Sequence, residues 1–482
     1  MKKLKRIKKY LEKILASSTI ATLLSYASKS VNFVVVLPLL LKNFKSNDIA
    51  LWYLFSNILT IQLILDSGFS STFIRILSYG TIGNRDLSKK TSFEEVRELK
   101  WDSDFIKTTI YIMKSLYKKI AFIFVLLFIM LGFWAFKLPI SKTSNPTFGW
   151  IILGCVAFSL PILVFGSVYS NILQGINKIT TLRLWETLFN LLSSITSILI
   201  LIIFPNVYCL ILAILFWALI SIYRNKLLIN NVPNIKDGNL DLSIADSIKK
   251  TSINNSLKSG IGVLFSQGIT YISSFFYANY LESSLLASYL IAINLILNIK
   301  NFSQAPFYSK IPYFATLTAS GNLSKLITLA KKAMQQVYLI FFVFSIMIWL
   351  LGFYYSSYLG TNSHFPSLTL WILLSFGFFI ERYGAMHIQL YSTTNHILWH
   401  IHNGVSGTIT IIVMIIIFNY IPVYSYPLGL IIGNITFYCW YGPLHSYRFL
   451  KSNFWDFEKY IFFPFLIIYS FIGYFILQNH LL

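Results

Sequence analysis

The 482-residue sequence contains few charged side chains, very few acidic ones and only three cysteines. Charged residues make up 12% of the chain, about half of the usual share in soluble domains, which excludes a soluble globular protein. The hydrophobic content of 56% excludes a disordered chain. The three cysteines fall in different apolar runs without metal-ligand spacing, which excludes a disulfide scaffold and a cysteine metal site. A polytopic membrane protein remains.

Apolar runs long enough to cross a bilayer recur along the chain. A hydrocarbon core about 30 Å thick needs roughly 20 apolar residues per helix. Twelve runs meet this length and a thirteenth follows them: 18–41, 48–79, 118–138, 148–173, 185–205, 207–224, 257–280, 284–308, 335–358, 366–392, 403–422, 425–447 and 459–479. The sequence therefore predicts an all-α polytopic protein.

The distribution of Lys and Arg predicts the orientation of these helices. With the N-terminus in the cytoplasm, 31 of the 39 basic residues lie in inner segments and four lie in outer loops, as the positive-inside rule requires. Residues 1–17 are predicted to be a basic amphipathic segment on the cytoplasmic face, or else a disordered basic tail. The charged segment 80–117 is predicted to be a cytoplasmic loop. A thirteenth helix would place the C-terminus outside, unless Pro464 marks a re-entrant or interfacial segment.

The two halves of the sequence are similar to each other. Ala50–Leu59 aligns with Ala287–Ile296, and further along the chain Tyr117 aligns with Tyr338. Six helices per half make the repeats parallel, with substrate sites expected near the midplane between them. Chance similarity between Leu/Ile-rich segments is the alternative. The predicted organisation is two six-helix lobes around a central cavity, 18–235 and 250–447, followed by an additional helix at 459–479.

Among the charged residues inside or at the ends of the apolar runs, six are candidates for function: Lys29, Asp66, Arg75, Lys300, Glu381 and Arg382. A charge at the centre of a membrane helix costs on the order of 2.5–3.5 kcal/mol, so it should face a partner or a watery cavity. Lys29, Lys300 and Arg382 lie about 16–22 Å from one end of their helices, which is near mid-depth. These three cations predict a cationic cavity whose ligand is an anion.

Several alternatives to cavity lining remain open for these charges. One alternative is that the cations hold neighbouring helices together through ion pairs with Asp66 or Glu381. Arg75 lies near the cytoplasmic boundary. Two interpretations of it are equally good: its guanidinium extends into the membrane interface, or it binds the substrate. Because adjacent helical residues point about 100° apart, Glu381 and Arg382 are expected to face different surroundings.

The sequence argues against enzymatic activity and a metal site. The predicted outer loops are short, which leaves no room for the outer domain of a membrane glycan polymerase or ligase. No phosphate-binding Gly-Lys motif is present, so the chain is not an ATPase by itself. His396, His400 and His402 are close together in the sequence, but no HExxH motif or nearby carboxylate accompanies them, so they are interpreted as loop residues.

The segment from Trp52 to Gly80 resembles the second helix of the polysaccharide transporter family, the lipid-linked O-antigen flippases. The residues that carry this resemblance are Asp66, Gly68, Ser70, Ser71 and Arg75. NILQGINKIT after the fourth run and SKIPYFATLTASGNLSKLITLAKKA after the eighth are also similar to the inner-loop patterns of that family. The seventh run lacks the acidic residue often found there and reads YISSFF instead.

The resemblance implies membership in the multidrug, oligosaccharidyl-lipid and polysaccharide exporter (MOP) superfamily. It implies a flippase that moves an undecaprenyl-pyrophosphate-linked oligosaccharide, an O-antigen or capsule repeat unit, from the inner to the outer leaflet. The expected location is the bacterial inner membrane, as part of polysaccharide and lipopolysaccharide biosynthesis. Partners would include a polysaccharide polymerase and chain-length machinery, and no nucleic acid. No cofactor is expected, and coupling to H⁺ or Na⁺ would use Asp66 or Glu381.

The binding residues predicted for this substrate are the cations Lys29, Lys300, Arg382 and Arg75, with no catalytic residue. Four aromatic residues are candidates for stacking on sugar rings: Trp185, Trp217, Trp371 and Tyr391. The competing functions are a multidrug antiporter of the same superfamily, which would favour an acidic cleft, and a membrane-embedded glycan polymerase or ligase.

Overall fold

The computed structural model describes residues 18–31, 35–81, 101–232, 238–319, 321–359, 365–394 and 398–480, with the single residues Gly83, Arg85 and Ile235. Within these ranges every regular element is a helix, so the predicted all-α class is confirmed. The predicted basic segment 1–17 and the central part of the predicted loop, 86–100, lie outside the described residues.

The helices are numbered α1 to α19 in chain order. The first nine are α1 Ser18–Val31, α2 Leu37–Asn43, α3 Ser46–Thr81, α4 Ser103–Ser141, α5 Pro146–Gly175, α6 Ile179–Ile203, α7 Val207–Asn230, α8 Leu242–Val263 and α9 Ile269–Ala278. The remaining ten are α10 Ser283–Ser303, α11 Ala305–Tyr308, α12 Ile311–Ala319, α13 Leu323–Leu359, α14 Leu368–Ser392, α15 Trp399–Phe418, α16 Pro422–Gly433, α17 Cys439–Leu450, α18 Phe454–Glu458 and α19 Phe463–His480. Five-residue π-helical turns, Leu264–Gly268 and Asn434–Tyr438, join α8 to α9 and α16 to α17.

Nine helical segments of the described chain are long and apolar enough to cross a membrane. They correspond to α4, α5, α6, α7, α8 with α9, α10 with α11, α13, α14 and α15. The other four predicted runs fall on α1 with α2, on α3, on α16 with α17, and on α19. The protein is therefore an all-α polytopic membrane protein.

The chain forms two compact units. The N-terminal unit consists of Met1–Asn43 and Leu54–Leu264, and the C-terminal unit consists of Phe44–Tyr53 and Phe265–Leu482. A core of the N-terminal unit is built from α3, α4, α5 and α8, which contribute the fully buried Phe73, Tyr117, Val168 and Ile248. The spacing of such residues every three or four positions gives each helix one face that packs in this core.

In the C-terminal unit, α10 and α14 are the most buried of the apolar helices. In the most apolar 18-residue stretch of each, 72% of the residues are buried. The last helix, α19, packs in the same unit, where the ring of Phe465 lies 6.2 Å from Tyr338 of α13 and 6.3 Å from Phe379 of α14. Pro464 lies in the first turn of α19, where a proline costs no helical hydrogen bond.

Helix α4 begins inside the segment 80–117 that was predicted to be a loop. Asp102 caps it by accepting a hydrogen bond of 3.0 Å from the backbone N–H of Phe105. At 39 residues α4 is about 58 Å long, almost twice the thickness of the hydrocarbon core. The last fifteen residues of the predicted loop, 103–117, are therefore helical.

Helices α3 and α8 approach each other closely at Gly68. A Cβ atom on Gly68 would lie 2.6 Å from the Cα and backbone N of Gly260 and 2.9 Å from the carbonyl oxygen of Ser256. Backbone atoms cannot move aside as a flexible side chain would, so only glycine fits at this crossing. Small residues permit such close packing between membrane helices.

We expect Gly68→Ala to destabilise the N-terminal unit by about 1–3 kcal/mol or more, because the added methyl group overlaps backbone atoms of α8. Gly260→Ala is the matched control, since a Cβ atom there meets no atom within 4 Å. The measurement is the midpoint of thermal unfolding of both purified variants in detergent. Equal midpoints for Gly68→Ala and Gly260→Ala would contradict the observed crossing.

Candidate functional site

Three of the predicted charged residues form one buried cluster in the C-terminal unit. Lys300 comes from α10, and Glu381 and Arg382 come from α14. The Nζ of Lys300 lies 3.3 Å from Oε2 of Glu381, and the guanidinium of Arg382 donates to both carboxylate oxygens, at 2.8 and 2.6 Å. Arg382 also donates to Oε1 of Gln304 at 2.7 Å. All three charged residues are at most 7% exposed.

The contact between Glu381 and Arg382 differs from the expectation that adjacent helical residues face different surroundings. Their Cα–Cβ bonds diverge, but the arginine side chain is long enough to return to the carboxylate of its neighbour. The resulting bidentate geometry is a strong form of charge-assisted hydrogen bond. Ion pairing, which was one of the open alternatives, therefore does occur in this cluster, and it still leaves two cations on one carboxylate.

A small cavity of about 20 Å³ lies beside this cluster within the C-terminal unit. Its lining includes Glu381, Asn403, Ser406, Thr410 and Asn434. That volume holds about one water molecule and is far too small for a sugar or a pyrophosphate. The cavity therefore has room for about one water molecule beside Glu381 and none for a substrate.

Asp66 lies in the N-terminal unit, where hydroxyl and amide groups surround it. Tyr117 donates a hydrogen bond to its carboxylate, Asn171 donates to the Tyr117 hydroxyl at 2.9 Å, and Ser70 donates to Asn171 at 2.7 Å. Asp66 is 7% exposed. Among the described residues no cation lies within ion-pair distance of it. Pairing with Asp66 therefore does not account for any predicted cation in the described chain.

Lys29 also lies in the N-terminal unit, on α1, and its side chain is exposed. Its Nζ is 6.0 Å from the ring centroid of Tyr26, and the guanidinium of Arg183 is at the same distance from that ring. Arg183 in turn pairs with Glu186 at 2.8 Å. Arg75 is exposed near the end of α3, a position that fits both extension of its side chain into the interface and substrate binding.

The residues that resemble the flippase family have packing roles in this fold. Asp66 and Ser70 belong to the hydrogen-bond network with Tyr117, and Gly68 permits the close approach of α8. Ser71 donates to the carbonyl oxygen of Gly68 at 3.3 Å. The motif therefore shapes the contacts of α3 within the N-terminal unit.

The aromatic candidates for sugar stacking differ in exposure. Trp185 is 40% exposed, whereas Trp371 is 2% exposed and donates its indole N–H to the carbonyl oxygen of Ser345 at 3.1 Å. Trp371 is therefore a packing residue, and its predicted stacking role is wrong. Trp217 is half-buried and donates to Thr196 at 3.2 Å.

The described residues contain no group of three or more His, Cys, Asp or Glu side chains that could hold a metal ion. His402 is fully buried and its ring lies 3.8 Å from that of Tyr438. His400 is half-buried, and His396 lies outside the described residues.

One buried polar cluster was missed by the sequence analysis. His387 of α14 and Glu458 of α18 are both completely buried, with His387 Nε2 3.0 Å from Glu458 Oε1. Tyr447 of α17 donates to the same oxygen at 3.0 Å. Glu458 precedes the last helix, so the cluster fastens α18 to α14 and α17. The sequence offered little signal, because Glu458 lies in the charged segment WDFEK between two apolar runs.

No protein-family model and no curated protein matches the sequence. Among solved structures, the lipid II flippase MurJ, in an inward closed conformation, has a TM-score of 0.63 at 16% identity, over 95% of this chain and 92% of its own. A multidrug resistance MATE family transporter of the MOP superfamily, in an inward-facing conformation, has a TM-score of 0.62 at 13% identity, over 88% of this chain and 94% of its own.

This chain has the fold of the MOP superfamily. A MOP superfamily transporter from Pyrococcus furiosus, described as having a binding pocket of reversed polarity, also matches, with a TM-score of 0.54 at 14% identity over 92% of this chain and 98% of its own. The superfamily-level resemblance is thus confirmed for the fold. At 13–16% identity these matches show the fold alone, so the function and the substrate of this chain have to be argued from its own residues.

Proposed function

We propose that this MOP-fold protein is a flippase for a polyprenyl-pyrophosphate-linked oligosaccharide. The observation that carries the proposal is the surplus of positive charge inside the apolar helices of each unit. In the C-terminal unit Lys300 and Arg382 share the single carboxylate of Glu381. In the N-terminal unit Arg183 pairs with Glu186, and Lys29 and Arg183 both lie 6.0 Å from the ring of Tyr26.

The sign of this surplus favours an anionic substrate. Charges in membrane helices are expensive, so a chain that places more cations than carboxylates there needs an anion to balance them. Lys and Arg form charge-assisted hydrogen bonds with phosphate oxygens, and arginine does so in a bidentate manner. A cation antiporter would require the opposite sign.

The sugars and the polyprenyl tail of the proposed substrate follow from the physical requirements of moving a charged lipid and from the fold. A pyrophosphate attached to sugars crosses hydrocarbon only with a protein that shields its charge, whereas its polyprenyl tail is stable in lipid. Alternating access is the cycle that we propose, by analogy with transporters built from repeats. The neighbour MurJ is described as a lipid II flippase, which supports a lipid-linked substrate.

The location, partners and coupling ion follow from the proposed substrate. We propose an inner-membrane protein with a cytoplasmic N-terminus, acting in O-antigen or capsule synthesis beside a polymerase and chain-length machinery. Asp66 is our candidate for ion coupling, because Glu381 is already bound by two cations. Lys29, Lys300, Arg382 and Arg75 remain the proposed substrate-binding cations.

A multidrug antiporter is the second candidate, supported by the similarity to a MATE family transporter. Disruption of the gene in cells that carry it distinguishes the two functions. The flippase proposal predicts loss of surface polysaccharide, accumulation of the lipid-linked repeat unit and unchanged sensitivity to cationic drugs. Wild-type polysaccharide together with increased drug sensitivity would refute it.

A further inference from the structure

A second group of charges lies within the N-terminal unit, and Lys29 is its only member that the sequence analysis identified as a candidate. It consists of Lys29 on α1, Arg183 and Glu186 on α6, and Arg224 on α7, and we call it the N-unit basic cluster. Arg183 precedes the predicted run 185–205 and Arg224 is the last residue of the run 207–224, and the structure places both inside helices. Glu186 pairs with Arg183 at 2.8 Å and also acts electrostatically on Lys29 and Arg224.

The cluster is strongly unbalanced in charge. The cluster holds three cations and one carboxylate, of which Arg183 alone pairs with Glu186, and Ser25 donates its hydroxyl to the same carboxylate at 3.1 Å. The pair between Arg183 and Glu186 joins residues three apart on one helix, so it does not fasten neighbouring helices together. Helix pinning therefore explains neither Lys29 nor Arg224.

Arg224 carries the most informative observation. It is only 7% exposed, its Nε and NH2 groups donate to Asn225 at 3.1 and 2.7 Å, and the ring of Phe189 lies 4.6 Å from its guanidinium carbon. Its NH1 group is buried and has no hydrogen-bond partner among the described residues, and the Nε of Arg183 is in the same condition. Buried donors of this kind are rare, and on a cation they indicate that an acceptor is missing.

We infer that the N-unit basic cluster is an anion-binding site for a phosphoryl group, and that Glu186 is its internal counter-ion. An arriving phosphate supplies oxygen acceptors to Arg224 and Arg183 and replaces the carboxylate of Glu186 on Arg183. Identifying this phosphate with the pyrophosphate of the substrate rests on the proposed function. The site itself rests only on contacts within the N-terminal unit.

The same chemistry is offered by two sources, the pyrophosphate of a polyprenyl carrier and the headgroup of an anionic membrane lipid. The experiment uses the full-length protein purified in detergent and measures binding by native mass spectrometry. One arm titrates undecaprenyl pyrophosphate and the other titrates phosphatidylglycerol, each with inorganic pyrophosphate as the competitor. Tighter binding of the first identifies the carrier, and tighter binding of the second identifies a structural lipid and overturns the substrate assignment.

Single-charge variants test the counter-ion role, because they should act in opposite directions. Arg224→Gln and Arg183→Gln should each weaken pyrophosphate binding at least about tenfold, whereas Glu186→Gln should strengthen it several-fold, since it removes the competing carboxylate. Lys226→Gln is the matched control, because Lys226 is exposed on the same helix as Arg224 and should bind as wild type does. Arg183 is half-buried, so its variant keeps the test informative if Arg224→Gln fails to fold.

The outcomes separate this inference from the proposed function. Unchanged binding in the Arg183 and Glu186 variants overturns the site even if reconstituted protein flips a lipid-linked oligosaccharide. Weakened binding in Glu186→Gln also overturns it, because that is the result expected of a purely structural ion pair. Opposite shifts together with an absence of flipping leave the anion site established and refute the flippase.

Discussion

Replacing Glu381 with glutamine is expected to destabilise the C-terminal unit by about 3–5 kcal/mol, the usual cost of removing one partner from a buried ion pair. Glu381 is the carboxylate that both Lys300 and Arg382 contact, and all three side chains are almost completely buried. The variant leaves two buried cations without a counter-charge. The measurement is the thermal unfolding midpoint of purified protein in detergent.

Lys300→Met is the matched control for Glu381→Gln. It removes one charge from the same cluster but leaves the bidentate pair between Arg382 and Glu381 intact. A buried apolar side chain of similar length should be close to neutral in stability, within about 1 kcal/mol. A Glu381→Gln protein as stable as the Lys300→Met protein would show that the carboxylate does not compensate the two cations.

Replacing Lys29 with alanine is expected to reduce export of surface polysaccharide at least tenfold, which corresponds to about 1.4 kcal/mol of lost interaction with the substrate. Lys29 is exposed and alanine is a good helix former, so the folded protein should remain in the membrane at its normal level. The measurement combines export, accumulation of the lipid-linked repeat unit and the quantity of membrane-inserted protein.

Two further variants distinguish a binding role of Lys29 from a general effect of charge. Lys29→Arg keeps the positive charge and should retain most of the export activity. Lys137→Ala removes an exposed cation from α4 in the same unit and should export as wild type does. Normal export by Lys29→Ala would remove Lys29 from the proposed substrate-binding residues.

The helices were predictable because a bilayer requires a fixed length of apolar sequence for each span. Every predicted apolar run overlaps a helix of the described chain. The boundaries were less predictable where a helix continues beyond the hydrocarbon core. Helix α4 starts at Ser103 because Asp102 caps it, and its charged first turns carry no hydropathy signal.

The candidate site was only partly predictable. The charges inside the apolar runs were visible in the sequence, so Lys300, Glu381 and Arg382 were all identified. Their contacts were not, because the return of Arg382 to Glu381 depends on side-chain length and on the position of Gln304. Tertiary partners of this kind leave no periodic pattern in a single sequence.

Other residues were missed for identifiable physical reasons. Arg183 and Arg224 lie at the borders of the predicted apolar runs, and the structure shows that α6 begins before Arg183 and α7 continues beyond Arg224. Glu458 lies between two apolar runs and is buried only because α18 packs back against α14. In each case the fold buries a charge that local sequence would place in solvent.

The most direct measurement of the central claim is translocation by purified protein in vesicles. Vesicles are prepared with an undecaprenyl-pyrophosphate-linked oligosaccharide, and its accessibility to an impermeant sugar-binding reagent is followed over time. The account predicts rapid equilibration of the lipid between leaflets with the wild-type protein and slow equilibration with Lys29→Ala. Equilibration no faster than in protein-free vesicles, together with uptake of a cationic drug by the same preparation, would contradict it.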